Sequence, residues 1–375
     1  MRQPRITLFL WLLAVAAFLL FCASRQLAAG QIIVSGIAFA VLMGLYLLFS
    51  QPGMSEALGQ MSRNGGEYGL PGFLWIIFVV LALVAGSPNV LIDSALAGAA
   101  IWLPTALVVN DRPALTPIHA LVGLSALVMP LGIDVVLGAR PTPAEAVLRA
   151  GAFALPVLLI ALTTREQKSR LSFQFIAAVA FLWFSVEFGN LPDLSLPFQD
   201  GLIGYLHLAS IVLFLYLLTL AGRLPDLGFT FSIERKDWRE AAVNFAAFAA
   251  IALPVGLLTG FIRPSSALPS IVDSAARGLA IFFFIALPEE ILFRGTIHRY
   301  LERVLRWTPR LTLLSSSILF GASHLNNPPN VGWYFLLASV AGWFYGRTYL
   351  RTGKVVPAAI VHLMVDWVWS VFFAG

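Results

Sequence analysis

Three apolar segments in the C-terminal part of the chain carry the side chains best able to do chemistry. They read ALPEEILFRG with Glu289, Glu290 and Arg294, LFGASHLNN with Phe320 and His324, and VHLMVDW with His362 and Asp366. Glu290 and Arg294 are i, i+4, so on a helix they share a face and can pair. His362 and Asp366 have the same spacing, so Asp366 can orient that imidazole. Either pair alone would be an ordinary helix-end feature. Adjacent glutamates in an apolar helix need a stronger reason. One can pair with Arg294 while the other points about 100° further round the helix, toward something else. Bringing that second carboxylate to His324 and His362 satisfies all of these groups, and the spacing predicts one joint site.

The chemistry open to such a site is water activation. Glu289 in an apolar pocket can take a proton from water. One imidazole can share that water, and the other can donate to an oxyanion as a carbonyl is attacked. Two imidazoles and a carboxylate, His324, His362 and Glu289, are also a divalent-metal set, for example for zinc, with one position left open. Against zinc, there is no H-E-x-x-H helix. No nucleophile stands out, since Cys22 is far away in sequence and Ser323 beside His324 has no supporting pattern.

Helices in a membrane must hold these residues. The chain has 375 residues, 59% hydrophobic and only 11% charged, whereas a soluble domain carries about 25% charged residues. A water-facing surface cannot be made from so little charge. The class expected is all-α, a polytopic transmembrane bundle. A single cysteine excludes a disulfide scaffold. Apolar runs near 7–24, 31–50, 71–86, 89–110, 118–138, 147–163, 172–188, 202–222, 240–262, 271–293, 311–325, 333–350 and 355–374 predict about 13 spans, with a range of 11–13 because two runs are short. The first run is read as an uncleaved helix rather than a signal peptide, because it is long and another span follows at once.

Lys and Arg set the orientation. With the N-terminus inside, 19 of the 24 basic residues fall in inside loops and four outside, with Arg277 in a span. The reading is N-inside and C-outside, in a bacterial plasma (inner) membrane. The basic excess is thus one of orientation, and nucleic acid is not an expected partner; the bilayer and a membrane-associated protein or peptide are. The charged stretch RLPDLGFTFSIERKDWRE is read as a linker into an interfacial helix, with Trp238 at headgroup level. It separates a multi-span region of unknown role (1–222) from a second region (223–375). In the first region Asp93, His119, Asp134, Glu187 and His207 stand singly near span ends and are read as snorkelling or capping groups.

At the three C-terminal segments the sequence resembles the CAAX protease and bacteriocin-processing family of intramembrane endopeptidases. That family is recognised by Glu-Glu-x-x-x-Arg, Phe-x-x-x-His and His-x-x-x-Asn/Asp, matched here by Glu289-Glu290 with Arg294, Phe320 with His324, and His362 with Asp366. The resemblance covers about 271–370. It implies peptide-bond hydrolysis in the membrane, with Glu289 and His324 activating water, His362 and its partner stabilising the oxyanion, and Glu290 with Arg294 supporting the site. Asp366 stands where Asn is also found, and an ionised Asp cannot donate to an oxyanion, so its expected role is to orient His362 or bind a metal. The family has been described both as glutamate-type and as metal-dependent. In the second case Glu289, His324 and His362 are the expected ligands.

Two other classes compete. A catalytically silent, immunity-type or partner-binding membrane protein has no need of Glu289, His324 and His362 together. A transporter needs corresponding interrupted helices in two halves, whereas the charged constellation lies only in the second. One geometric requirement follows. For Glu289 to reach the depth of His324, the helix begun at 271 must continue past Arg294 toward Arg303.

Overall fold

The computed structural model describes residues 3–24, 29–51, 53, 227–303, 305–327 and 330–374. The runs expected at 71–86, 89–110, 118–138, 147–163, 172–188 and 202–222 lie outside the described residues, as do Asp93, His119, Asp134, Glu187 and His207. By Cα proximity the chain divides into two compact units, 4–225 and 226–375, the second taking in residues 1–3.

In the first unit, α1 (Gln3–Ser24) and α2 (Ala29–Leu48) form a hairpin. Phe18 stacks on Phe39 at 4.3 Å, and Trp11 Nε1 donates to the Ala40 carbonyl at 2.7 Å. Gly44 leaves room for the Trp11 ring, which a Cβ there would approach to 3.2 Å.

Among the described residues, the regular elements of the second unit are helices but for one two-residue β pair. Its elements are α3 (Arg235–Leu258), β1 (Arg263–Pro264), α4 (Ile271–Arg303), α5 (Pro309–Ala322), α6 (Val331–Thr352), α7 (Val355–Phe372) and β2 (Phe373–Ala374). Among the described residues, α3, α4 and α7 are long and apolar enough to cross a membrane. α5 has 14 residues, about 21 Å at 1.5 Å per residue, so the run at 311–325 is too short to span a bilayer core alone. α6 has the length, but Arg347 and Arg351 and its polar aromatics keep it outside that set.

Local chemistry sets the boundaries. The Asp237 carboxylate accepts from the Glu234 N–H at 2.9 Å and receives the Lys354 ammonium at 2.7 Å. Within the charged stretch, 227–234 is extended and Arg235–Glu240 forms the first turns of α3, where Trp238 is 55% exposed. Burial works against the Lys354 ammonium, but Asp237 and Glu234 outweigh it and hold its pKa above the usual lysine range. Ser270 caps α4 by accepting from the Asp273 N–H, and Thr308 caps α5 by accepting from the Leu311 N–H. Gly353, at φ 68°, stops α6 in the left-handed conformation that glycine adopts without strain.

α4 is not a uniform α-helix. Phe282–Ala286 and Ile291–His298 are π-helical, flanking the short α segment Leu287–Glu290, whose first turn holds Pro288. Proline lacks an N–H to continue the ladder, and widened turns are one way a helix passes it. The helix then continues to Arg303, as the depth of Glu289 requires.

The helices alternate in direction. One end gathers Arg235, Lys236, Arg239, Arg299, Arg303, Arg306, Arg310, Arg347, Arg351 and Lys354, while Arg263 and Arg277 lie toward the other. At the sparse end β1 pairs antiparallel with β2, and Ser265 N–H donates to the Phe372 carbonyl at 2.9 Å. Small residues let α5 and α6 approach closely. A Cβ at Gly342 would lie 3.2 Å from Phe320 Cβ, one at Gly346 2.5 Å from Leu313 Cδ1, and one at Gly321 2.6 Å from the Phe335 carbonyl. Gly342 and Gly346 form a G-x-x-x-G step on α6.

Gly321→Ala forces this pair apart and is expected to lower stability by about 1–3 kcal/mol, as overpacking does. Gly332→Ala, where a Cβ meets nothing within 4 Å, serves as the control. Thermal unfolding of the two purified variants in detergent checks this, and equal midpoints would contradict it.

Candidate active site

The fold brings all six sequence candidates to one region of the second unit. Counted along the chain, Glu289 stands 14 residues before Arg303 and His324 15 residues after Pro309, so the two are similarly far from the basic end. α4 supplies Glu289, Glu290 and Arg294; the end of α5 supplies His324; α7 supplies His362 and Asp366.

The base of the site is an ion pair with no exposure. Arg294 Nε lies 3.1 Å from Glu290 Oε2, and both side chains are 0% exposed. Arg294 Nη2 also donates to the Gly342 carbonyl at 3.0 Å, and its guanidinium lies over the Phe320 ring at 5.2 Å. Glu290 has a second partner, because its Oε1 lies 3.2 Å from His362 Nδ1. One carboxylate thus joins the arginine of its own helix to the imidazole of another.

His362 is held on both sides. Its Nε2 lies 3.2 Å from Asp366 Oδ2, one turn on, and 3.9 Å from Glu289 Oε2. Tyr345 stacks on the ring at 4.6 Å with planes 18° apart, and Phe320 meets it edge-on at 5.5 Å. The ring has almost no freedom to turn. Glu289 and Asp366 differ from the groups below them, since their side chains are 28% and 29% exposed. The adjacent glutamates therefore divide as expected. Glu290 belongs to the buried pair, and Glu289 stands outside it, partly exposed.

His324 joins through packing. Its ring lies 5.0 Å from Phe320 and stacks on Tyr334 at 5.2 Å. Its Nδ1 is 2.9 Å from the Phe320 carbonyl and 2.9 Å from Ser323 Oγ. A carbonyl only accepts, so Nδ1 carries the hydrogen and Nε2 of the neutral ring keeps its lone pair. Ser323 gives its own hydrogen to the Phe320 carbonyl at 2.6 Å. It is not activated by the imidazole, and it stays out of the candidate set.

The metal set does not assemble. Among the described residues no three His, Cys, Asp or Glu side chains form a group able to hold an ion. His362 uses Nδ1 on Glu290 and Nε2 on Asp366, and His324 uses Nδ1 within its own turn. His362 thus has both nitrogens engaged while His324 keeps its Nε2 lone pair, and no step is derived through a metal.

Three partners had no signal in the sequence motifs. Tyr345, Tyr334 and Gly342 all lie on α6, which supplies no acid or base. The trace they leave is an i, i+3, i+4 stripe of aromatic and small residues, more often a packing face than a site. His298 was also unread. It is fully buried toward the basic end, with Nδ1 3.1 Å from Ser316 Oγ and its ring edge-on to Tyr349 at 5.5 Å.

Residues 271–368 match the family model for type II CAAX prenyl endopeptidases, Rce1-like. The matched segment holds all six candidates and runs from the start of α4 almost to the end of α7. It agrees with the resemblance carried by the three motifs. Together with the apolar helices, the match describes an integral membrane protein whose C-terminal segment is related to a protease family. No curated protein and no solved structure matches the chain.

Removing one partner of a buried ion pair leaves the other charge uncompensated, at a cost of about 3–5 kcal/mol. Glu290→Gln is therefore expected to lower the unfolding midpoint sharply, whereas Glu289→Gln, at a partly exposed position, moves it little. Unfolding followed in detergent distinguishes them; a Glu290→Gln midpoint no lower than that of Glu289→Gln would sink the assignment of the buried role.

Proposed function

We propose that the protein is an intramembrane endopeptidase that hydrolyses a peptide bond of a membrane-associated protein or peptide through water activated by Glu289 and His324. The observation that carries this is the division of the carboxylates. Glu290 and Asp366 fix His362 from both nitrogens, leaving Glu289 beside it, partly exposed at the depth of His324. A silent binding module has no use for an imidazole fixed by two carboxylates next to a third.

The chemistry follows from the geometry. Water lies between the Glu289 carboxylate and the Nε2 lone pair of His324. Glu289 takes a proton as the water oxygen attacks the scissile carbonyl carbon. The Nε2–H of His362, which points toward Asp366 and Glu289, turns its bond from Asp366 to the oxygen that gains charge, while Nδ1 stays on Glu290. Asp366 accepts only, so it acts by holding His362. When the C–N bond breaks, Glu289 returns the proton to the departing amine nitrogen. Glu290 and Arg294 position His362 and α4 and touch no reacting atom. General acid–base catalysis of this kind contributes about 10²–10⁴-fold.

The catalytic region in this reading is 223–375, oriented with its basic end in the cytoplasm, in a plasma membrane. The family match supports the protease class. A prenylated substrate is not required by any side chain of the site.

New protein termini are compared in membranes carrying the wild type or Glu289→Ala at matched levels. Termini present only with the wild type are expected, and their sequences name the substrate. Matched profiles in the native host, with the gene expressed, would favour a silent partner-binding protein instead. With a substrate peptide in hand, His324→Ala and His362→Ala are each expected to lower kcat by about 10²-fold or more. Dialysis against a strong zinc chelator is expected to leave the wild-type rate unchanged; loss restored by zinc would return Glu289, His324 and His362 to the ligand reading.

A further inference from the structure

The two imidazoles of the candidate site are held in different ways. His362 has a carboxylate at each nitrogen. His324 stands past the last residue of α5, in a turn, and its Nδ1 bonds only within that turn, to the Phe320 carbonyl and Ser323 Oγ. The outer torsion of a histidine side chain is broad, so bonds at one ring nitrogen leave the ring free to pivot about it. Tyr334, in the first turn of α6, limits that pivot. Its ring lies 5.2 Å from the His324 ring with planes 22° apart.

Tyr334 is itself wedged. Trp369, near the end of α7, lies 5.4 Å from it, and Phe261, just before β1, meets it edge-on at 5.6 Å. Phe261 and Trp369 touch each other at 5.2 Å. Two segments far apart in sequence must be brought together for this, and a backbone clip does it. Gly260, at φ 71°, turns the chain after α3, and the Ile262 N–H donates back to the Gly256 carbonyl at 3.1 Å. β1 then pairs with β2, Arg263 opposite Ala374 and Pro264 opposite Phe373. Phe261, Ile262 and Leu337 form a small buried core beneath the clip, with Tyr334, Trp369 and Phe373 packed against it. Phe261 and Trp369 both lie outside the matched segment 271–368.

The other half of the site has a separate support. Leu227, Phe229 and Phe231, in the extended segment before α3, are buried and form a floor toward the basic end. The Leu227 carbonyl lies against Gly295, where a Cβ would come within 3.2 Å of it, and the Gly228 carbonyl accepts from the Val355 N–H at 2.8 Å. These contacts fall on α4 and α7, which carry Glu290, Arg294 and His362. The His324 ring gains its support from the clip.

Taking the endopeptidase reading as given, we propose that Phe261 and Trp369, seated by the β1–β2 pair, are positioning residues that act through Tyr334. They hold the His324 ring with Nε2 toward the water it shares with Glu289. None of the three touches a reacting atom.

The test has two levels. The first reads the ring and needs no turnover. The chain has five histidines, so nuclear magnetic resonance of the isotope-labelled histidine rings in detergent resolves them, and loss of a signal in His324→Gln assigns His324. Stacking on Tyr334 shields the ring protons of His324. That shielding is expected to vanish in Tyr334→Leu, to survive in Tyr334→Phe, and to shrink in Phe261→Leu and Trp369→Leu. The last two keep Tyr334 and carry the test if Tyr334→Leu does not fold. A His324 signal unmoved in both overturns the proposal.

The second level reads catalysis, with a peptide whose cleavage depends on Glu289. Tyr334→Leu is expected to lower kcat by about 10-fold or more with KM unchanged, as misplacing a reacting group does. Tyr334→Phe is expected to restore most of the rate. Phe248→Leu removes a different aromatic pair on α6, with Phe344 at 6.1 Å, and is expected to lower the unfolding midpoint but not kcat. A Tyr334→Phe variant as slow as Tyr334→Leu, or an equal kcat loss in Phe248→Leu, overturns the positioning role. If the wild type cleaves nothing, the endopeptidase reading fails, and the resonance shifts still decide whether the clip orients His324.

Discussion

Burying a charge in a membrane is tolerated only when another charge and further hydrogen bonds compensate it. Arg294 and Glu290 meet that condition inside α4, and the rest of the site is arranged around them. Glu290 reaches His362 with its second oxygen, which fixes α7 against α4. Arg294 reaches the Gly342 carbonyl, which fixes α6. Phe320 lies under the guanidinium and carries the turn that ends in His324. Four helices are therefore placed relative to one buried pair, and the acid that does chemistry in the proposed mechanism, Glu289, is its neighbour in sequence but lies outside the pair. Adjacent glutamates allow this division of labour because successive side chains on a helix point in different directions.

Packing supplies what charge cannot. The imidazole of His362 has hydrogen bonds at both nitrogens, yet those alone leave the ring free to tilt. Tyr345 stacked on one face and Phe320 set edge-on beside both rings remove that freedom. Close approach of α5 to α6 puts both aromatics where they are needed, and it depends on Gly321, Gly342 and Gly346. The glycines that take no part in chemistry thus set the geometry of a residue that does.

The candidate residues were legible because ionisable groups are rare in apolar segments, so Glu289, Glu290, Arg294, His324, His362 and Asp366 stand out by type alone. The i, i+4 spacings gave the Glu290–Arg294 and His362–Asp366 pairs, and the need to match depths gave the continuation of α4 to Arg303. Contacts between helices distant in sequence were not legible. Nothing in the spacing of Glu290 and His362 says that they touch, and Tyr345 reads as one more aromatic in an aromatic helix. The charged stretch read as a linker into a helix because its composition changes abruptly, but the residue at which that helix starts was not legible. The helix there starts where Glu234 and Asp237 can cap it, and composition does not report that. Residue types alone leave a metal set open, and the partners of each ring nitrogen are set by contacts that spacing does not report.

The extended segment 227–232 has no regular structure, and its apolar side chains alternate with polar ones over only a few residues. By its position it would pass for a tether. Yet Leu227 rests on the residue next to Arg294, and Phe229 and Phe231 seal the space beneath. As a unit of inheritance, the part of the chain that builds the candidate site therefore begins upstream of its first helix. A gene fusion, recombination junction or truncation placed neatly at Arg235 would keep every helix and every motif, and would still cut through the floor on which the site stands.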